Sequence, residues 1–406
     1  MPEGSLPTPK TATAEKRAVS KVPPHLQNYL ALKDFEEALE DHLPRMLWGF
    51  VTGAAETDWS LRDNAEAYQD YAFIPRTLVN TTKRSTGTTL FGRSYAQPFG
   101  IPPMGASALI AYRGDIALAQ AAAVMNVPNI MSASSLIKLE DIRKAGPTTW
   151  YQAYLPGEPA RIEPLVDRVA AAGFDTFVLT VDVPVSANRE NNFRNGYSIP
   201  LKPNYLLLKE GVTHPKWLFG TFLRTFLAHG MPYFENMDAG RGPPILSRNL
   251  VRAVGKRDGL SWEHLALIRR RWKGKLVVKG ILAAEDAAMC ADHGADGVIV
   301  STHGGRQLDG AIGPLRVLPE VKAASQGMAV MIDSGIRRGS DVLKALALGA
   351  DFCFVGRPML AAAALAGEPG VRHALTLLGE EVDRNMAMLG VNRIAEICAQ
   401  HVRKVR

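Results

Sequence analysis

One nine-residue stretch gathers a proton acceptor, a carboxylate-binding cation and two glycines: Ser301-Thr302-His303-Gly304-Gly305-Arg306-Gln307-Leu308-Asp309. A histidine exchanges a proton near neutral pH, and an arginine three residues on offers a planar fork that fits a carboxylate. A lone histidine is more often structural. Here two glycines follow it directly and permit close backbone approach to a bound molecule. Asp182 ends an apolar run upstream and supplies a carboxylate able to hold the imidazole and favour its protonated form. Two further segments combine glycine with arginine, Asp333-Ser334-Gly335-Ile336-Arg337 and Gly356-Arg357-Pro358. Glycine N–H groups and guanidinium forks at such places suit a phosphate.

These residues need a frame that brings them together. Tyr29 to about Gly92 reads as helical and irregular. From Pro98 onward, short β-branched runs alternate with Ala/Leu-rich amphipathic stretches, the rhythm of βα units. Eight strands are predicted: Pro98–Gly105, Pro128–Ser134, Thr149–Tyr154, Thr176–Asp182, Lys275–Gly280, Gly297–Ser301, Ala329–Asp333 and Phe352–Gly356. Gly173, Gly294 and Gly349 each precede an apolar run, where a left-handed residue ends the preceding helix. Ser340-Asp341 marks a helix start. Eight strands buried on both faces predict a closed parallel (β/α)8 barrel. An open doubly wound sheet fits less well, since no dinucleotide GxGxxG loop accompanies the pattern.

In such a barrel the C-terminal strand ends converge. Ser134, Gln152, Tyr154, Thr180, Asp182, Lys279, Ser301 and His303 fall there, followed by Asp333, Arg337, Gly356 and Arg357. Burying so many polar groups is costly unless each finds a partner, so a bound polar ligand is expected.

The chain is 47% hydrophobic and 21% charged, proportions of a globular rather than a disordered protein. Residues 1–28 are expected to form a flexible tail, and 29–406 a single barrel domain. An insert of about 201–260 is too long for one βα unit, so a lid or binding loop is expected. Within it, Phe219, Phe222, Leu223, Phe226 and Leu227 share one helical face, accompanied by Lys216, Trp217 and Arg224. That face either packs on the barrel or a subunit contact, or lies on a membrane surface. The net charge of +7 suits an anionic substrate, an acidic electron-transfer partner or an anionic membrane. No basic stretch interleaved with aromatics points to nucleic acid. Cys290, Cys353 and Cys398 are too scattered for a disulfide framework or a metal site. No apolar run is long enough to span a bilayer, and a reducing cytoplasmic setting is expected.

His303–Asp309, together with Val278-Lys279-Gly280 and Lys344–Ala350, resembles the FMN-dependent L-2-hydroxy-acid dehydrogenase and oxidase family. That family includes glycolate oxidases, L-lactate dehydrogenases and L-mandelate dehydrogenases. The resemblance runs from about Leu43 to Ile397. The Asp333–Gly335 wording and His229-Gly230-Met231-Pro232 look most like the mandelate and lactate dehydrogenases associated with bacterial membranes. The resemblance implies FMN as cofactor and oxidation of an L-2-hydroxy acid to the 2-oxo acid. Oxygen, a quinone or a cytochrome would be the electron acceptor. A homotetramer is implied, and peripheral contact with the inner membrane face through the insert is a further expectation.

By the same resemblance, Pro103, Met104 and Gly105 lay backbone near the flavin, and Ser134, Gln152, Thr180 and Ser301 hydrogen-bond it. Lys279 stabilises negative charge on the reduced ring. Asp333, Ser334, Gly335, Ile336, Arg337, Gly356 and Arg357 hold ribityl and phosphate. Arg306 and Arg189 bind the substrate carboxylate, Tyr154 meets the hydroxyl, and His303, supported by Asp182, is the base. Leu136 and Gly105 line the substrate side-chain pocket, with Gly105 leaving room for an aromatic substituent.

One departure stands out. The family usually carries tyrosine, whose hydroxyl helps bind the carboxylate, where this chain has Phe50. A lost hydrogen bond to a charged group costs roughly 1.5–3 kcal/mol. Weaker binding of small hydroxy acids is expected, or a carboxylate held by another group. An FMN barrel acting on a non-standard substrate is the alternative. Thr302 in place of the usual asparagine, and Ser334 in place of a common glycine, remove no catalytic group.

Overall fold

Strands apolar on both faces can be buried only by pairing side by side beneath a layer of helices. The computed structural model describes residues 22–197, 205–247 and 257–406, and it has this arrangement. The eight strands are β1 (Phe99–Gly100), β2 (Asn129–Ser132), β3 (Thr149–Ala153), β4 (Thr176–Thr180), β5 (Lys275–Ile281), β6 (Gly297–Val300), β7 (Ala329–Ile332) and β8 (Phe352–Phe354). They pair in parallel, each beside its sequence neighbour, and β8 returns to β1 with Cys353 opposite Phe99. The remaining seam closes through two backbone bonds: Ile101 N–H donates to Pro128 O at 3.0 Å, and Ile130 N–H to Ile101 O at 2.9 Å. The chain is a (β/α)8 barrel, with all eight predicted strands in place. Most end before the predicted polar residues, which turn out of the ladder into the loops.

Trp150, Val178, Val277, Ile299, Met331, Phe352 and Phe354 fill the barrel interior. A hairpin of Thr88–Leu90 and Arg93–Tyr95 adds Leu90 and Tyr95 to this cluster, and Phe91 lies against the β6 start at Gly297. The N-terminal mouth is therefore plugged, leaving the C-terminal mouth for chemistry. Gly173, Gly294 and Gly349 end their helices with positive φ, as predicted.

The C-terminal mouth is covered by the N-terminal helices Leu32–His42, Arg45–Thr52 and Trp59–Glu66. Asp309 locks them down by accepting from the Thr57 and Ser60 N–H groups at 2.9 and 3.1 Å. Thr302 Oγ1 donates to Asn64 Oδ1 at 2.9 Å. The predicted tail falls mostly on residues 1–21, outside the described residues; Leu26 is already buried in the core.

In the insert, 198–204 and 248–256 lie outside the described residues. The rest is helical over Tyr205–Thr213, Pro215–Trp217 and Arg224–His229, with a wider π-type turn at Leu218–Leu223. Trp217 faces inward and donates its indole N–H to Leu109 O at 2.8 Å. Most of the predicted apolar stripe stays exposed: Phe219 is 65% exposed and Leu227 82%, with Phe226 also exposed, while Leu223 is half-buried and Phe222 stacks on Trp217. Among the described residues no helix is long and apolar enough to cross a membrane.

Gly335 has φ +88°, and a Cβ there would collide with the Asn64 carbonyl oxygen. Gly335→Ala is expected to cost about 1–3 kcal/mol, read as a lower unfolding midpoint. Gly173→Ala, strained at φ +79° but with no neighbour within 4 Å, should lose less than Gly335→Ala, about 1 kcal/mol from the left-handed backbone alone. Equal losses would contradict the packing described.

Candidate active site

β6 ends at Val300, and the chain then makes three consecutive left-handed residues, His303 (φ +58°), Gly304 (+69°) and Gly305 (+76°). Such a turn at a non-glycine costs energy and persists only when its surroundings hold it. Ser301 Oγ accepts from His303 N–H at 2.9 Å, and Gly305 N–H donates to Thr302 O at 3.0 Å. The turn aims the imidazole across the mouth. His303 Nδ1 lies 3.0 Å from Asp182 Oδ1, and Nε2 lies 3.2 Å from the Tyr154 hydroxyl.

Behind this pair sits a buried ammonium. Lys279 Nζ donates to Ser301 Oγ at 2.8 Å and lies 3.4 Å from Asp333 and 4.0 Å from Asp182. A bulge in β5 makes room: Gly280 has φ +107°, and a Cβ there would stand 2.6 Å from the Asp182 Cβ. Burial opposes the Lys279 charge, but the two carboxylates outweigh it and its pKa stands above the ordinary value. Burial also disfavours charge on Asp182, yet His303 and Lys279 hold it below the usual carboxylate range. His303 is pushed below its ordinary value, first by burial, then by the positive charges of Lys279 and Arg189, against the opposing pull of Asp182. The resting imidazole is neutral at pH 7, with a carboxylate waiting behind it. That is the state of a proton acceptor.

Two guanidinium groups stand opposite. Arg306 donates through Nη1 to the carbonyls of Phe50 and Gly53, both at 2.7 Å, and lies 5.0 Å over the Phe50 ring. Arg189 Nε donates to Arg306 O at 2.9 Å, and its Nη2 bonds Gln307 Oε1. Among the described residues no carboxylate pairs with either. Burial, and then mutual repulsion with Arg189 and Arg357, push Arg306 well below the ordinary arginine value. An anion bound here relieves both strains.

A cleft joins His303, Tyr154, Lys279 and Arg306, while Arg189 and Asp182 are not among its lining residues. Pro103, Met104 and Gly105 line one side, with Lys279, Tyr154, His303, Arg306 and Phe50 further in. Asp333 to Arg337, with Gly356 and Arg357, line the far end. Arg357 is anchored on the Val51 and Gly304 carbonyls at 3.0 and 2.8 Å, and burial lowers it to about 10. Arg337 is paired with Glu36 at 2.6 Å. Under the cleft floor, both side-chain polar atoms of Gln152 and the Thr180 hydroxyl are buried without a partner. Polar atoms left so in a barrel mouth call for a ligand. Gln152 and Thr180 at one end, with glycine and arginine at the other, fit a flavin ring joined to a phosphate.

Ser134 is displaced from the cleft wall. It abuts Gly105, where a Cβ would stand 2.9 Å from its own. Ser132, at the end of β2, is buried on the same side of Gly105. Leu136 is not among the cleft residues; it packs with Ala108, Phe234 and Ile245 in a separate apolar cluster. Two other residues beside the site carry no motif signal. Arg257 stacks 4.6 Å from the Tyr154 ring centre, and Tyr197 stacks on Phe50 with centroids 4.6 Å apart.

A family model described as FMN-dependent dehydrogenase matches residues 39–404. The chain is 35% identical to "(S)-mandelate dehydrogenase" of Pseudomonas putida over 93% of its own length and 94% of that protein's. It is 36% identical to "L-lactate dehydrogenase" of Pseudomonas aeruginosa over 91% of its length and 97% of that protein's. The solved structure of "monotopic membrane protein (S)-mandelate dehydrogenase" superposes with TM-score 0.85 at 34% identity, covering 93% of this chain and 100% of that one. A mandelate oxidase structure gives TM-score 0.76 at 34% identity, covering 92% and 98%.

The His303 imidazole is expected to titrate below its ordinary value near 6.5, followed by 15N-histidine NMR. Asp182→Asn removes the partner that raises it and should move it lower still. A wild-type value above the ordinary one, or an upward move in the variant, would contradict the arrangement.

Proposed function

Because the chain belongs to the FMN-dependent dehydrogenase family, we propose that it oxidises an L-2-hydroxy acid, lactate-like or mandelate-like, to the 2-oxo acid. The observation that carries this reading is the neutral His303, backed by Asp182, facing Arg306 and Arg189, which no described carboxylate neutralises. Arg306 and Arg189 hold the substrate carboxylate as a bidentate anion. The Tyr154 hydroxyl meets the substrate hydroxyl. His303 Nε2 takes the proton, and Asp182 stabilises the imidazolium that forms.

FMN, when bound, would accept the electron pair together with the second hydrogen that leaves the hydroxy acid. Gln152, Thr180, Ser301 and the backbone at Pro103–Gly105 would hold its ring. Asp333 to Arg337, with Gly356 and Arg357, would hold ribityl and phosphate. Lys279 keeps a fixed positive charge beside the ring site. A mandelate-like acid is favoured over lactate by the likeness to (S)-mandelate dehydrogenase at TM-score 0.85, not by Gly105, whose side-chain space Ser134 fills.

We further propose peripheral membrane attachment through the insert, where Phe219, Phe222, Phe226 and Leu227 are exposed beside Lys216 and Arg224. A quinone would then be the nearby acceptor, rather than oxygen or a soluble cytochrome.

Anaerobic addition of L-lactate and of L-mandelate to the purified holoenzyme should bleach the flavin spectrum, faster with L-mandelate, while D-mandelate leaves it unchanged. A flavin unaltered by every 2-hydroxy acid would shift the reading to the non-standard substrate that Phe50 suggests. Vesicles containing phosphatidylglycerol should bind the wild type. Phe219→Glu combined with Leu227→Glu should weaken that binding at least about tenfold; unchanged partition would contradict the membrane face.

A further inference from the structure

Phe50 lacks the phenol that the family resemblance implies for the carboxylate site, but a phenol stands directly behind it. The Phe50 and Tyr197 rings stack with centroids 4.6 Å apart and planes 26° apart, while the Arg306 guanidinium lies over the Phe50 ring. Tyr197 is only 5% exposed. Its position is set by the short helix Glu190–Arg194, which begins immediately after Arg189. That helix is bolted to the one carrying Phe50: Asn191 Nδ2 donates to Gly49 O at 2.8 Å, and Arg45 Nε donates to Asn195 Oδ1 at 2.8 Å. Tyr197 N–H closes the turn on Asn192 O at 2.8 Å. One short element therefore carries both Arg189, which bonds the Arg306 carbonyl, and Tyr197, which stacks on Phe50.

We infer that Tyr197 supplies the phenolic hydrogen bond to the substrate carboxylate, in place of the hydroxyl that Phe50 lacks. Burial raises the Tyr197 phenol to about 12, against the opposing pull of Arg306 and then Arg189. It is therefore protonated at neutral pH, a donor close enough to feel both guanidinium groups. Among the described residues nothing hydrogen-bonds its hydroxyl, and a buried tyrosine ordinarily finds a partner. A carboxylate held between Arg306 and Arg189 is such a partner. Phe50 serves as the flat spacer that keeps the Tyr197 ring in place. The inference rests on the 2-hydroxy-acid reading.

The test measures binding of pyruvate and benzoylformate by their perturbation of the holoenzyme flavin spectrum, alongside KM and kcat for L-lactate and L-mandelate. Tyr197→Phe should raise Kd and KM about tenfold or more, with a smaller change in kcat. Phe50→Tyr in that background should recover most of the loss, because the donor returns on the neighbouring ring. Unchanged Kd in Tyr197→Phe overturns the inference, as does a loss that Phe50→Tyr does not recover. A wild-type flavin that no 2-hydroxy acid reduces instead defeats the underlying reading, and the inference falls with it.

Discussion

A lysine ammonium buried at a barrel mouth must be neutralised within a few ångströms, and that requirement organises this protein. Lys279 sits between Asp333 at 3.4 Å and Asp182 at 4.0 Å, with Ser301 completing its contacts. Removing one partner from a buried pair typically costs about 3–5 kcal/mol, so the three strand ends are tied together. With His303 neutral, the cluster carries one positive and two negative charges. A proton arriving at His303 balances it. Of the groups that tie β4, β5 and β7 together, Asp182 favours a proton on His303, while burial and Lys279 oppose it and keep the resting imidazole neutral.

The other half of the site is built by backbone rather than by ion pairs. Arg306 and Arg357 both end on carbonyls of the segment Phe50–Gly53. Carbonyl oxygens orient a guanidinium without cancelling its charge, so the attraction for an anionic ligand survives. The N-terminal helices thus act as a positioning layer for cations that belong to barrel loops. Asp309 fastens that layer from the opposite side through Thr57 and Ser60.

The barrel was legible because its signals are local. Apolar runs of strand length and left-handed glycines at Gly173, Gly294 and Gly349 depend only on near neighbours along the chain. The loops bearing His303 and Arg357 were legible because glycine beside a charged residue at a strand end has few other uses. The β5 bulge at Gly280 gave no sign, since it serves a side chain nearly a hundred residues upstream. Tyr197 was invisible for a similar reason: its importance comes from stacking on Phe50, a partner far away in sequence. Helical periodicity grouped Phe219, Phe222 and Phe226 correctly but could not say whether the barrel or solvent faced them. The π-type turn at Leu218–Leu223 also shifts the register that simple spacing assumes.

His303 is the proposed base, and single-turnover reduction of the flavin in His303→Gln tests that role most directly. The variant should retain its flavin, because His303 is not needed to hold it. Anaerobic mixing with L-mandelate or L-lactate should then reduce the flavin at least about a hundredfold more slowly than in the wild type. Reduction at the wild-type rate by a fully loaded variant would contradict the role assigned to His303, and with it the purpose given to the charge cluster behind it.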